Sequence, residues 1–561
     1  MTRSGGTTRR RVLGAAAVLP WAGCQPADAP RYDGAWLGAA FERGHRLRET
    51  RSAASASSPS GRATAGANAP RRADVIVVGT GIAGLAAARA LTRAGLSDVH
   101  VFDLEDTAGG NSRGHVMGGM ACPLGAHYLP VPGEQAVEVA EWLDEIGLRR
   151  LHNGAAVFDE RLLCHAPQER LFMAGQWVEG LLPPIDALPA EQRAETKAQY
   201  LQFHGAVAAA GRARAFSMPT ARSRLTTATL ALDQVTFSAW LDSEGLTAPA
   251  LRWYLDYCCR DDYGAGARFV SAWAGLHYFA SRHGFQAPGV DASEREGVLT
   301  WAQGNAWLAD RLAEGLGDRI HLGQVALRVH EGRHDVQVEF LNAVTQATQT
   351  WTAGQVVLAV PLFVAARLLS AAPSALEAAV TVLHHAPWLV ANVQLTAPLV
   401  DRGGAAPAWD NVMMDSPSLG YVDAMHQSTR PFAGPTVLTA YWALGGNSPI
   451  ELHQQRARLS SEPWSAWAGA VVQDFAHAHP DIHTRIARID LMRYGHAMAI
   501  PAPGVRSHEA LQALSSLNGR VQFAHSDLSG YSVFEEAFFQ GHRAGGAVAR
   551  ARLGAGRRRA T

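Results

Sequence analysis

Gly79, Gly81 and Gly84 form a Gly-X-Gly-X-X-Gly run, and an acid, Asp103, follows it downstream. Residues of these types in this order can hold a dinucleotide. Gly79 permits a tight turn, Gly81 lets backbone approach a pyrophosphate, and Gly84 lets a helix pack closely on a strand. The N–H groups of Ile82 and Ala83 open the helix that follows. They would meet an anion with unpaired hydrogens and the positive end of a dipole. Asp103 is placed to accept from ribose hydroxyls. Other chemistries have few candidates. Lys197 is the only lysine, so a catalytic lysine has one possible position. The cysteines, Cys24, Cys122, Cys164, Cys258 and Cys259, show no metal-ligand spacing, and no metal is expected. Cys258 and Cys259 read as buried small residues, and His277 and His283 lack a recognisable metal constellation. Asp256, Asp261 and Asp262 would attract a cation if they face a pocket; otherwise they are a solvated loop.

The glycine run needs a strand before it and a helix after it. Asp74–Val78 is a β-branched apolar run that reads as a buried parallel strand. An alanine-rich helix to about Arg93 follows, stopped by Gly95. Val99–Phe102 is a second strand that ends at the acid. The chain, at 561 residues, exceeds one compact core, so several domains are expected. Its 50 basic residues balance 50 acidic ones, which excludes nucleic acid held by bulk positive charge. No apolar run is long enough to span a bilayer.

The first residues read as an address. Arg9, Arg10 and Arg11 precede Val12-Leu13 and a short apolar stretch, the anatomy of an export signal. The paired arginines resemble a twin-arginine signal, which implies export of an already folded protein to the periplasm. Trp21-Ala22-Gly23-Cys24 resembles a lipobox, though Trp21 departs from the usual aliphatic residue. Lipidation of Cys24 would add a membrane anchor. Residues 1–24 are therefore taken as export signal and 25–72 as linker or extension. Residues 51–72 are a Ser/Ala/Gly/Pro/Arg-rich tether. Residues 31–48 are less bland and are expected to dock on the body, with no function assigned.

Beyond the first unit, Gly109-Gly110-Asn111-Ser112-Arg113 adds a second glycine pair. With it the sequence resembles the flavin-containing amine oxidase superfamily, whose relatives include protoporphyrinogen oxidases and carotenoid desaturases. The resemblance runs over roughly 73–555 and implies non-covalent FAD. It implies a Rossmann-like, GR2-type α/β domain from 73–130, 291–365 and 501–555. A mixed α+β substrate domain, 131–290 and 366–500, interrupts it. Asn111 stands where the family has arginine, and Glu105 replaces another, so Arg113 is the candidate for pyrophosphate charge. Gly110, Ala126 and His127 match segments beside the flavin; Gly304 lies where the chain returns to it. Val325 matches the residue touching adenine, and Asp527 matches the acid binding the ribityl chain. Ser532-Val533-Phe534-Glu535 is a capping-box pattern opening a helix. Placed under the flavin, its free N–H groups would stabilise charge on the reduced ring.

In amine-oxidising relatives, substrate lies between two aromatic rings and delivers a hydride to flavin N5. Tyr128 matches a cavity tyrosine. Tyr531 is a cage candidate by local match, or Val533 if aligned from the following helix. The other wall falls to Tyr494 or His496. Lys197 lies far from any flavin motif, which leaves dioxygen or another acceptor open. The expected activity is oxidation of an amine, including a polyamine. The alternatives are a desaturase-like or protoporphyrinogen-oxidase-like enzyme on an apolar substrate, or a non-catalytic exported FAD protein. No nucleic-acid partner is expected.

Overall fold

The computed structural model describes residues 32–38, 41–46, 71–212, 215–282, 284–288 and 297–560. The export segment with Cys24, and His283, lie outside the described residues.

Two large sheets organise the molecule. The first has seven strands built around Arg71–Val78. This strand pairs in parallel with Val99–Phe102 on one side and Thr348–Leu358 on the other. Ile320–His321 extends the parallel set beyond Val99–Phe102. Val521–Phe523 also pairs in parallel with Thr348–Leu358. Gln324–Glu331 and Val336–Asn342 complete it as an antiparallel meander. Val75, Ile76 and Val77 are fully buried because helices and loops cover both faces, as parallel strands require. Helix Ile82–Arg93 leaves the central strand through the glycine run, and Phe534–Ala560 packs beside it.

The second sheet has eight strands, with His384–Leu395 between Ile486–Ile500 and Thr436–Ala443. Helices Ala190–Arg212, Pro249–Tyr263 and Ala272–Ala280 form the insert beside it. Phe203, Phe237, Trp273 and Tyr263 are buried there, so most of the insert's aromatic residues serve the core. Within the stretch 25–72, Asp33–Leu37 is an edge strand parallel to Arg488–Met492. Residues 41–46 are helical, and Arg71 already begins the central strand.

Candidate active site

A cavity of about 540 Å³ lies between the two sheets and takes wall residues from both. Two helix N-termini open onto it. Gly81 precedes the helix Ile82–Arg93 without a side-chain cap, and Gly79, Gly81, Ile82 and Ala83 line the wall. Gly79 has φ +107°, a conformation that favours glycine. Gly84 does not line the cavity. A Cβ there would lie 1.9 Å from the Gly79 carbonyl oxygen, so its work is close packing of helix on turn. At the second helix, Val533, Phe534 and Glu535 line the wall, and the Val533 carbonyl accepts the first helical bond, from Ala537. The Ser532 hydroxyl accepts from the Ala499 N–H, so it also ties this end to the second sheet.

Asp103 lines the cavity with its carboxylate fixed. Oδ2 accepts from the Thr80 N–H and hydroxyl, each at 2.6 Å, and Oδ1 accepts from the Glu105 N–H at 2.9 Å. Gly110, Asn111, Ala126, His127 and Val325 also line the wall. Asn111 Nδ2 donates to the Ala497 carbonyl at 2.7 Å. His127 stacks on Tyr441 at 4.3 Å, and burial pulls its imidazole down to about 3, so it is neutral.

Besides Gly84, four expected site residues stand off the wall. Arg113 is buried with Nη1 3.2 Å from Glu105 Oε2 and is not a wall residue. It neutralises an acid that itself faces the cavity. Gly304 stands behind the wall, where a Cβ would meet Pro123, the Ala126 carbonyl and His127; its neighbour Asn305 lines the cavity and donates to the Tyr128 carbonyl. Asp527 is fully buried and outside the wall. It accepts from the Leu362 N–H at 2.8 Å and from His385 Nε2 at 3.0 Å. Burial opposes its charge, but the His525 and His385 rings hold its carboxyl well below the ordinary value. His385 and His525 form the wall in its place. Tyr531 is 1% exposed, with its hydroxyl 3.2 Å from Met218 Sδ and 3.4 Å from His277 Nδ1. It props the insert from behind, and Val533 occupies the wall. The two-residue offset between glycine motif and helix start decides this.

Tyr128, Tyr494 and His496 do line the cavity. The Tyr494 hydroxyl donates to the Leu124 carbonyl at 2.7 Å, so this residue offers its ring. His496 packs on Phe363 at 4.8 Å. Lys197 is exposed and away from the wall.

Acids gather at the Tyr128 end. Asp261 and Asp262 line the cavity, whereas Asp256 accepts from the Ala267 N–H and pairs with Arg260. The Tyr128 hydroxyl lies 3.4 Å from Asp261 Oδ2. Burial, and then the neighbouring Asp262, push the Asp261 carboxyl up to about 7. Arg282 stands 3.5 Å from Asp262 and 3.9 Å from Glu535, a buried set that joins the insert to the second helix N-terminus. Sequence reasoning missed Arg282, Trp388 and Tyr441, which also line the wall. Arg282 lies in the turn after a helix and Trp388 and Tyr441 lie on strands, with no local signal.

The residues fit a dinucleotide with a ring system. Two helix N-termini, a glycine cradle and a fixed carboxylate share one cavity. Asn305 Oδ1, Asp262 Oδ2 and Trp388 Nε1 are buried on lining residues without partners among the described residues. Among those residues no group of three or more His, Cys, Asp or Glu could hold a metal.

Comparison with known proteins gives the family and the fold. The family model for flavin containing amine oxidoreductases matches residues 82–549. The acrylate reductase flavoprotein subunit of Shewanella woodyi is 33% identical over 117 residues, 21% of this chain and 20% of that protein. The chain thus matches about a fifth of that relative's length. Cyclohexylamine oxidase from Brevibacterium oxydans has a similar structure, with TM-score 0.62 at 19% identity, covering 86% of this chain and 99% of that one. A putative protoporphyrinogen oxidase from Exiguobacterium has TM-score 0.57 at 16% identity, covering 87% and 100%. Likenesses at such identity carry the fold.

Proposed function

The chain belongs to the flavin containing amine oxidoreductase family, and from that premise we propose that it oxidises an amine held at the Asp261 end of the cavity. It is an FAD-dependent oxidoreductase. Bound FAD supplies a two-electron acceptor for a substrate C–H. The observation that carries the amine reading is Asp261 on the wall, beside the Tyr128 hydroxyl, with its carboxyl near 7. An ammonium entering that end meets a carboxylate, and a carboxyl poised near neutrality can take a proton from the nitrogen. The Tyr128 hydroxyl holds Asp261 Oδ2 in place. Burial raises the Tyr128 phenol well above its ordinary value, so it remains a donor. Arg282 compensates Asp262 and Glu535, which leaves Asp261 to the substrate. The aromatic residues Tyr128, Trp388, Tyr441 and Tyr494 supply apolar surface and exclude water. Any second amine of a polyamine would extend away from this acid.

The test is anaerobic reduction of the loaded protein by mono-, di- and polyamines, followed by air to ask whether dioxygen serves as acceptor. Bleaching by one amine class supports the reading. A flavin that stays oxidised overturns it and moves the function to an apolar substrate. We further propose export of the folded protein through Arg9 and Arg10. Fractionation of cells carrying Arg9→Lys with Arg10→Lys, and lipid labelling of Cys24→Ser, test export and anchoring separately.

A further inference from the structure

We propose that residues 33–38 and 41–46 are part of the cofactor site: a strap that closes the dinucleotide cavity over its adenosine side and slows release of FAD. They precede the stretch that matches the family, which begins at residue 82.

The strap is fastened at both ends. Its first part, Asp33–Leu37, adds a parallel strand to the edge of the eight-stranded sheet, in register with Arg488–Met492. The Ala35 N–H donates to Asp490 Oδ1 at 3.1 Å, and a Cβ at Gly34 would lie 1.9 Å from the Ile489 carbonyl oxygen. The Arg493 guanidinium lies 4.7 Å from the Trp36 ring and 4.6 Å from the Phe41 ring, so it touches both described parts. The far end reaches the other sheet. Arg43 donates to the Leu104 carbonyl at 2.6 Å and holds both oxygens of Asp106, at 2.8 and 3.0 Å.

The place of that second fastening gives the strap its role. Leu104 and Asp106 belong to the loop that follows Asp103, whose carboxylate is held by the Thr80 and Glu105 N–H groups and would meet the ribose. Phe41, Gly44 and His45 line the same cavity as Asp103, Leu104, Glu105 and Val325. These neighbours make the covered side the adenosine side. Glu105 in this loop pairs with Arg113. The cation that holds Leu104 and Asp106 comes from the strap, as Arg43. Because the strap spans from one sheet to the other across the wall, FAD enters before it docks or after it lifts. Bound dinucleotide and docked strap then stabilise each other, as two ligands of one closed state do.

The experiment uses the full chain loaded with FAD. Release on dilution is followed by the rise of free-flavin fluorescence, with far-UV circular dichroism as a check on folding. Arg43→Glu is expected to release FAD about tenfold faster, and Arg43→Glu with Asp106→Arg to recover most of the loss. Arg311→Glu, at a surface pair outside the cavity, is the charge-reversal control. Equal release rates for Arg43→Glu and the parent overturn the proposal. A second measurement needs no variant. Trypsin cleavage after Arg43 and Arg46 is compared in stripped and FAD-loaded protein. Protection by FAD is expected, and equal cleavage overturns the proposal even if Arg43→Glu folds poorly.

Discussion

Asp261 is where one residue's environment has the most to say about activity. Its carboxyl is pushed up to about 7 by burial and then by Asp262, against the opposing effects of Tyr128, Arg282 and Arg260. Its charge also bears on the nearby buried Asp410. Below about pH 6 the site is neutral; above pH 8 it carries the charge that binds an ammonium. Anaerobic flavin reduction by an amine is expected to rise through pH 7, with the change in apparent affinity more than in limiting rate. Asp261→Asn should abolish that step and weaken affinity tenfold or more, read from reduction rate against amine concentration at each pH. The sign for stability is opposite. A carboxyl raised above its unfolded value of 3.8 favours the fold at low pH, and this contribution is lost as pH rises from about 4 through 7. Asp261→Asn should therefore stabilise the protein at pH 8, by up to about 4 kcal/mol, with little effect at pH 4. Urea unfolding at the two pH values checks it. Tyr531 makes the contrast. Its hydroxyl meets Met218 and His277 behind the wall, so Tyr531→Phe should cost roughly 1 kcal/mol in the same assay and leave amine reduction rates unchanged.

The two helices that present their N-termini to the cavity depend on how closely they approach each other. A Cβ at Gly541 would lie 2.0 Å from the Ala83 carbonyl oxygen, and one at Gly545 would lie 2.5 Å from that of Ala87. Both obstacles are backbone, which cannot rotate away. Gly541→Val should force the helices apart, lower stability by roughly 3 kcal/mol and weaken FAD binding more than tenfold; denaturant titration and flavin fluorescence measure the two effects. The spacing Gly541, Gly545 was visible in the sequence, but a glycine pair four apart becomes a packing device only when its partner helix is known. The glycine run at 79–84 was legible because strand, turn, helix and acid act within one local unit. The alternative alignments at Tyr531 and Val533 could not be separated from sequence. A 3-10 turn, Ser526–Ser529, and Gly530 at φ +82° set where the last helix begins. Asp261 and Asp262 read equally well as solvated loop residues, because their exposure depends on how helix Pro249–Tyr263 faces the second sheet. The His385 contact of Asp527 likewise joins residues from distant segments, so position in the C-terminal motif alone placed the acid in a wall that His525 occupies.

At the scale of the whole molecule the cavity wall is shared by both sheets, and so is the core beneath it. One continuous apolar cluster runs from Ile76, Val78 and Phe102 through Phe203 and Trp273 to Trp388, Val390 and Tyr494. The two sheets are therefore not free to unfold independently while this cluster and a ligand between them persist. FAD binds the folded arrangement and not the unfolded chain, so loading must raise stability by RT ln(1 + [FAD]/Kd). That is about 2.7 kcal/mol at a hundredfold excess over Kd. Calorimetric scans of stripped and loaded protein, at one scan rate, should show a single loaded transition above the stripped one. The increment should grow with the logarithm of FAD concentration. Such growth is the signature of a ligand held by the native wall, and a loaded transition that splits in two would mean that the sheets share the cofactor without sharing a core. The same scans on Asp261→Asn separate the two roles of the cavity. That substitution removes the acid at the amine end but leaves Asp103 and both helix N-termini intact, so the FAD-dependent increment should persist while the pH 8 baseline rises.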